Sequence, residues 1–589
     1  FQRLSPINEA LPFRLNDLGD WGARGTLRFQ PPELEMDWLL TLRGERLDQL
    51  STLGQAMGTG RSPNGKLGSQ TVLQYFEPDN QEMREAATQG LTGAARQAAL
   101  DAVSQELADN LDIRPYRMDV NRVGKTKRDT WGASLRGSWN LDATAATTLV
   151  LRSVSAYDGY NRFRDVDSDF TPNVLFESIT NDDAWQVFQS LTLSGELADT
   201  PLRWEAGGLF LREKLQLGST TFIEAEPQGR TRDFTQDVWT ALAWAKLSWD
   251  FLDDFTVEGG ARWNWERRDI EVETNSFGFT DMSDNKQIFS APTGEFTLRY
   301  RFAENVSAYW KYNRGWKSGT YNSGRNRTNG VTPFAEPEVI DAFETGLRGS
   351  WLDGRLSAGG ALFYYGYDNY QVFRIASGFQ ALPEIEVINA NDAEVYGAEL
   401  DFRSEPLAGW APAWLDGLVV SGRFGWLKSQ FLDFEDEVTR LASINGVQET
   451  VTTRLDLSGN PLINSPRFKV SASADWTFDM GRWGSLIPRY DFAWSDDIVF
   501  DPNDGRGLPG EGGVPRFPKH TIGQRAYWLH NARLTYRSPT GNVEFSLWVR
   551  NFMDNVYKTY AFDISEFQRV VINFTGQPRS MGLDFTVSF

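Results

Sequence analysis

The 589-residue chain contains no cysteine and only two histidines, His520 and His530. No disulfide can form, and a metal site built from histidines is not expected. Absence of cysteine fits either a cytosolic chain that lost its thiols or one that crosses an oxidising compartment unfolded. No run of about 18 apolar residues occurs, so no helix of ordinary length spans a bilayer. Positive charge is scarce, with 59 Lys and Arg against 79 Asp and Glu, a net charge of −20. That balance argues against a nucleic-acid partner, which needs a basic surface, and fits long acidic loops in water. No Gly-rich phosphate loop stands between a strand and a helix, and no metal-spaced His/Cys set exists, so an enzyme and a bound cofactor have little support. No fixed-period repeat points to a propeller or a soluble array.

What the chain does have is aromatic surface: 22 Trp, 39 Phe and 18 Tyr, together with 53 Gly, in a sequence only 40% hydrophobic. A large membrane barrel produces this combination, because one face of each strand meets lipid and the other meets water. Period-two alternation runs from end to end. Met581, Leu583, Phe585, Val587 and Phe589 alternate with Ser580, Gly582, Asp584, Thr586 and Ser588. Trp131, Ala133, Leu135, Gly137, Trp139 and Leu141 alternate with Gly132, Ser134, Arg136, Ser138 and Asn140, and Trp21 to Gln30 does the same. The expected fold is all-β: one large antiparallel transmembrane β-barrel over residues 1–589. Strands are expected to begin near 21, 37, 129, 146, 184, 202, 237, 255, 290, 305, 340, 355, 392, 415, 466, 483, 526, 542 and 579, about 19 in all.

The connections alternate in length. Short ones carry turn residues, such as Pro31-Pro32, Asp253-Asp254, Leu352-Asp353-Gly354 and Pro539-Thr540-Gly541-Asn542. Long ones are expected over 49–128, 164–183, 216–236, 270–289, 317–339, 375–391, 431–465, 501–525 and 561–578. Outer-membrane barrels have short periplasmic turns and long extracellular loops. If the last strand ends in the periplasm, the strand from Trp21 runs downward from the cell exterior. An odd count with that orientation leads to the expectation that an odd number of strands precedes residue 21 in the native chain. An export signal is likewise expected upstream of Phe1. In the first long loop, 82–111 reads as an amphipathic helix from the spacing of Leu100, Val103, Leu107 and Leu111. It is either a loop packed on its neighbours or a lid over the mouth. Clusters such as Trp239/Trp244/Trp249, Trp263/Trp265 and Tyr364/Tyr365/Tyr367/Tyr370 read first as interfacial girdle and second as ligand-stacking groups.

Several stretches resemble TonB-dependent outer-membrane receptors of the siderophore-receptor type. Tyr312-Asn313-Arg314-Gly315-Trp316-Lys317-Ser318-Gly319-Thr320-Tyr321-Asn322 is similar to a strand-to-loop signature of that family. It is followed by Pro337-Glu338, by Glu344 and Gly346 of an E-x-G strand, by the turn at Asp353-Gly354, and by Val395-Tyr396-Gly397-Ala398-Glu399. Near the C-terminus Asn551, Asp554 and Tyr557 match an N-L-x-D-x-x-Y pattern with Phe552 in place of Leu. Gly576-Gln577-Pro578-Arg579-Ser580-Met581-Gly582 matches a G-x-P-R-x-x-G lead-in, and Phe589 fits the terminal aromatic assembly signal. Residues 21–30 resemble about the fourth strand of the family's 22, which gives the same deficit of three strands as the count.

The resemblance implies uptake of a scarce extracellular ligand, a ferric siderophore or similar chelate, energised by periplasmic TonB through an N-terminal plug region outside this sequence. Lipid, lipopolysaccharide and other envelope proteins are the remaining expected partners. Candidate ligand contacts are Arg314, Trp316, Lys317 and Tyr321, with Arg136, Arg152 and Arg212 as lumen-facing charges suited to carboxylate or phosphate. A structural turn is the competing reading for Lys317 and Gly319. The alternatives to uptake are a scaffold subunit of a larger envelope complex and a passive porin.

Overall fold

The computed structural model describes residues 2–3, 19–51, 54–56, 89–96, 98–99, 117–118, 120–141, 147–170, 176–197, 200–223, 226–276, 278–322, 332–377, 383–412, 416–444, 447–507, 517–564 and 571–588. Nineteen strands form the barrel wall: β1 Asp20–Phe29, β2 Met36–Leu50, β3 Lys125–Asn140, β4 Thr147–Asp167, β5 Phe176–Leu197, β6 Leu202–Ile223, β7 Glu226–Leu252, β8 Phe255–Ser276, β9 Phe279–Ala303, β10 Val306–Lys317, β11 Glu338–Trp351, β12 Leu356–Ser377, β13 Pro383–Ser404, β14 Gly417–Asp433, β15 Phe468–Asp479, β16 Ser485–Ser495, β17 Tyr527–Arg537, β18 Val543–Arg550 and β19 Ser580–Val587. Each pairs antiparallel with its neighbours in chain order. The chain thus forms the all-β barrel expected of it, with the expected number of strands.

Directly opposed residues share a face, so the ladders sort every wall residue onto one of two surfaces. One surface carries Leu135, Leu191, Leu247, Trp310, Leu362, Leu400, Leu547 and Leu583, all prominently exposed. Water would not tolerate such a continuous apolar sheet, but lipid does. The opposite surface carries paired charges: Arg28–Asp37 at 2.7 Å, Arg43–Asp158 at 2.6 Å, Arg489–Asp491 at 2.7 Å and Arg533–Asp584 at 2.9 Å. It faces the lumen. On β7 the outward apolar residues run from Ala241 to Phe251, about ten residues or about 34 Å along the strand. At the usual tilt of about 45° this is a band about 24 Å tall, the height of a hydrocarbon core. Its lower edge is an aromatic chain, Trp249–Phe251–Phe255–Tyr300–Phe302, with successive ring centroids 5.6, 5.6, 4.4 and 4.4 Å apart.

Strand starts at the short-turn end fall within about two residues of expectation, as at Leu202, Phe255, Leu356 and Ser485. Starts at the long-loop end divide: Asp20, Glu338, Phe468, Tyr527 and Ser580 fall as close, whereas Lys125, Phe176, Glu226, Phe279 and Pro383 lie upstream of expectation. β7 begins at Glu226 rather than near 237, and β9 at Phe279 rather than near 290. The expected loops 164–183, 216–236, 270–289 and 375–391 are largely strand. The β8–β9 ladder continues to Ser276 opposite Phe279. Above the lipid both faces are wet, so the apolar alternation stops while hydrogen-bonded pairing carries on. Of the segment 82–111, residues 93–96 and 98–99 are helical. Most of the remainder, and the terminal Phe589, lie outside the described residues.

Buried apolar clusters sit at the loop end. Val372, Ala390, Phe431, Phe434, Leu455, Leu457 and Leu462 pack together where β12, β13 and β14 meet a hairpin formed by Glu435–Ile444 and Val447–Asp456. At the opposite end the turn after β11 places Leu352, Asp353 and Gly354 at φ of 57°, 56° and 87°. Glycine takes that conformation freely; Leu352 adopts it at the cost of crowding its Cβ. Because the strand number is odd, β1 and β19 run in the same direction. Among the described residues no ladder joins them.

Candidate functional site: the mouth of the barrel

The segment after β10 turns inward over the rim, and its side chains explain why it does. Ser318 Oγ donates to Glu266 Oε1 at 2.6 Å. Arg268 donates to Thr320 Oγ1 at 3.0 Å while ion-pairing with Glu266 at 2.8 Å. Gly319 has no alternative residue: a Cβ there would lie 2.5 Å from the Ala335 carbonyl and 2.7 Å from the Phe289 ring. Asn322 imitates a strand, its Nδ2 donating to the Val387 carbonyl and its Oδ1 accepting from the Val387 N–H, both at 2.7 Å. Gln371 Nε2 donates to the carbonyls of Ser318 and Glu336, each at 2.9 Å. Asn389 and Glu336 exchange two further bonds, at 2.7 and 3.0 Å. These amides and hydroxyls clip residues 318–322 and Glu336 to β8, β12 and β13.

The candidate ligand contacts separate on this geometry. Tyr321 packs on the inner wall of the mouth against Phe234, Ile270 and Val272, with Phe334 5.9 Å away edge-on. Lys317 stands opposite Glu338 on the lumen-side register. Arg314 and Trp316 share the parity of the lipid-facing Trp310 and therefore point outward. Arg314 is bound there by Asp341 at 2.8 Å, which also accepts from Tyr312 at 2.7 Å. Expected as ligand contacts beside Lys317 and Tyr321, they stand on the other face of the wall: a motif read as one unit alternates between two solvents. Arg212 is corrected for the same reason. It pairs across from Trp239 on the outer surface, whereas Arg136 and Arg152 share the inner face with Arg43.

Other motif residues build a recurring lumen-wall device. Tyr309 donates to Glu344 Oε1 at 2.5 Å, and its ring lies where a Cβ on Gly346 would be, 2.7 Å away. Trp244 covers Gly207 and donates to Glu205 at 3.1 Å; Trp548 covers Gly582 and donates to Asp584 at 3.2 Å. In each case an aromatic ring fills a glycine's missing side chain and anchors its polar atom on an acid two residues away. Gly397 yields the same space to Phe363, and a Cβ there would also meet the Trp426 carbonyl at 2.1 Å. Glu399 follows on the same face, beside Asp401, Arg423 and Lys469 in a wall concavity of about 980 Å³.

Where β18 leaves the wall, Asn551 and Asp554 take φ of 47° and 56°. Asn551 Nδ2 donates to the carbonyls of Asn555 and Gln577 at 2.9 and 3.2 Å, and Asp554 Oδ1 accepts the Arg579 N–H at 2.9 Å. Tyr557 stacks on Tyr527 at 4.8 Å and occupies the space beside Gly576. Pro578 and Arg579 thus enter β19 through a locked crossover. Sequence reasoning missed the knot beside it. Asp501 is half-buried and accepts the N–H groups of Asn503, Gly505 and Gly507 at 3.0, 2.9 and 2.7 Å, while its desolvation raises the carboxyl to about 7. Lys558 donates to the His520 and Thr521 carbonyls at 2.7 and 2.9 Å, and burial lowers its amine to about 7. The signal was present in Asp501-Pro502-Asn503-Asp504-Gly505, a turn-rich run. Both histidines are occupied, His530 by Tyr490 at 2.6 Å and His520 by Asp497 at 3.3 Å. Among the described residues no group of three or more His, Asp or Glu is arranged to hold a metal.

A family model described as TonB dependent receptor-like, beta-barrel, matches residues 64–552. The chain belongs to that family. It is therefore an outer-membrane barrel. The pesticin receptors of Yersinia enterocolitica and Yersinia pestis are 23% identical over 328 residues, a match that takes in 55% of this chain and 40% of theirs. The chain thus corresponds to less than half the length of these relatives. The ferric yersiniabactin uptake receptor of Yersinia pestis superposes with a TM-score of 0.69 at 17% identity, covering 98% of this chain and 71% of that one. A siderophore receptor from Acinetobacter baumannii gives 0.62 at 15% identity, covering 96% and 74%. A copper transporter also gives 0.62, at 12% identity, covering 97% and 74%. At these identities the likeness is one of fold.

Proposed function

We propose that this barrel is the membrane-spanning part of a receptor for TonB-energised uptake of a scarce extracellular chelate, a ferric siderophore or a similar metal complex. The observation that carries the reading is the membership of a large lumen-bearing barrel, clipped loops included, in a family whose solved likenesses are named as siderophore and metal receptors. In this reading ligand is captured at the mouth, where Lys317 and Tyr321 stand on the lumen side and Arg136 and Arg152 offer cations deeper in the lumen. A plug and the TonB-contacting segment belong to the complete receptor. No bond is made or broken; the work is gating.

The test uses a deletion strain complemented with the full native gene and grown without free iron. Uptake of ⁵⁵Fe loaded on a panel of siderophores should occur for one class and vanish when the proton gradient is collapsed. Uptake independent of the gradient, with steady conductance of the purified protein in planar bilayers, would replace this reading with a passive porin. No transport of any chelate, with partner proteins co-purifying at fixed ratio, would replace it with a scaffold.

A further inference from the structure

The outer surface of β6 to β9 carries charge where lipid should end. Following direct ladder partners, Phe210, Ala241, Trp265 and Ser290 form one outward row. The next row up is Arg212, Trp239, Arg267 and Ile288, and the next is Lys214, Asp237, Asp269 and Lys286. Below these rows the surface is apolar or small down to the aromatic chain at Trp249 and Phe251. The two charged rows therefore lie at the head groups of the outer leaflet.

The patch is preorganised and not neutral. Arg212 Nε and Nη2 donate to the two oxygens of Asp237, at 3.2 and 2.8 Å. Its guanidinium lies 4.2 Å from the Trp239 ring and 5.4 Å from the Trp185 ring. Two aromatic faces and a carboxylate hold the plane fixed, and its Nη1 makes no hydrogen bond among the described residues. Arg267 is bound the same way, Nε and Nη2 on Asp269, with Nη1 left over. Lys214 and Lys286 flank the row and make no ion pair among the described residues. Four cations thus stand against two carboxylates. On β2 and β3 the outward charges that follow the apolar residues are Arg46 and Lys127 against Asp48 and Asp129, a balanced set. Acidic residues return one row higher, with Glu271 and Asp284 opposite one another, so the positive strip is bounded above.

We propose that this strip binds the phosphorylated head group of an outer-leaflet glycolipid, its phosphate oxygens taking the free Nη1 groups and the two lysines while its acyl chains lie on Phe210, Trp265 and the apolar rows below. Fixed guanidinium forks match phosphate geometry, and flexible lysines reach the same level by laying their stems along the wall. The inference rests on the outer-membrane location and the face assignment, not on the uptake reading, so either can fail alone.

The experiment is native mass spectrometry of the full receptor in detergent, after delipidation and titration with bisphosphorylated lipid A. The receptor should hold one lipid A tightly, and K214Q/K286Q should weaken it at least about tenfold, with the R46Q/K127Q control unchanged. Folding of each variant is checked separately by heat-modified gel mobility. Equal retention by wild type and K214Q/K286Q overturns the proposal. So does equal retention of lipid A stripped of its phosphates, which would mean acyl packing alone. Displacement by inorganic phosphate at equal concentration would make the strip a free-anion site and overturn the lipid assignment.

Discussion

Neighbouring residues on one strand of this barrel should respond oppositely to the same charge. Leu362 is 60% exposed on the outer face of β12, between Thr345 and Ala398. Ala361, one residue away, faces the lumen between Gly346 and Glu399. Both lie well inside the apolar band, below the aromatic Tyr364. Arginine at 362 must either sit in hydrocarbon or drag water inward, at about 2–4 kcal/mol for a site near the midplane. Arginine at 361 meets water and the Glu399 carboxylate, and should cost under about 1 kcal/mol. The difference of about 2–3 kcal/mol corresponds to a roughly 30- to 150-fold ratio of folded to unfolded populations. The assay is reversible guanidinium unfolding in the presence of vesicles, read by tryptophan fluorescence, for Leu362→Arg and Ala361→Arg. Equal destabilisation by the two, or a larger cost at 361, would refute the assignment of faces on which the structural account of this wall depends.

Gly346→Val should destabilise the barrel by about 1–3 kcal/mol, because the new side chain occupies the place of the Tyr309 ring; G346V/Y309A should recover part of that loss in the same unfolding assay. Asn322→Ala removes both bonds to Val387, and hydrogen exchange at 318–322 and 332–338 should rise several-fold while β10 itself stays protected. The Asp501 knot should depend on pH. Its carboxyl is raised in the folded protein to about 7, so the stability tied to its protonated form is full below the ordinary carboxylate range and is lost as pH rises through about 7. Amide protection at Gly505 and Gly507, corrected for intrinsic exchange, should fall between pH 5 and pH 8.5, and Asp501→Asn should flatten that profile. Lys558 has the opposite sign: lowered to about 7, it favours the fold at high pH and loses that contribution as pH falls through about 7. Lys558→Met should therefore lessen loosening of residues 518–522 near pH 6, as read by the same exchange measurement.

The wall was legible because its rule is local. Met581, Leu583 and Phe585 alternate with Gly582 and Asp584 because adjacent side chains of a strand enter different solvents, and hydropathy records that choice residue by residue. Turns were legible at Asp353-Gly354 and Gly541 for a similar reason, since few residues accept their backbone angles. Strand length above the membrane was not. Between Ile270 and Asn285 both faces are wet or loop-covered, so backbone pairing alone keeps the strand and leaves no period to read.

The candidate site was legible as a motif but not as a place. Residues 312–322 were recognisable as a unit, yet the unit crosses from a strand with two faces into a folded-back loop. Lys317 and Tyr321 end on the lumen side while Arg314 and Trp316 end outside. The clip partners Glu266, Gln371 and Val387 lie about 50 or more residues distant in sequence, and nothing near the motif names them. The Asp501 knot depends in the same way on chain brought back from beyond residue 517.

By itself the sequence determined that the chain is an outer-membrane barrel of about 19 strands, and which residues alternate between lipid and lumen, because those properties follow from the pairing period and from the solvent on each side. Only the tertiary structure decided which side each arginine takes, how far the strands rise above the bilayer and which distant groups lock the mouth. Those depend on register between strands far apart in the chain, and register is fixed by the whole ladder rather than by any one segment.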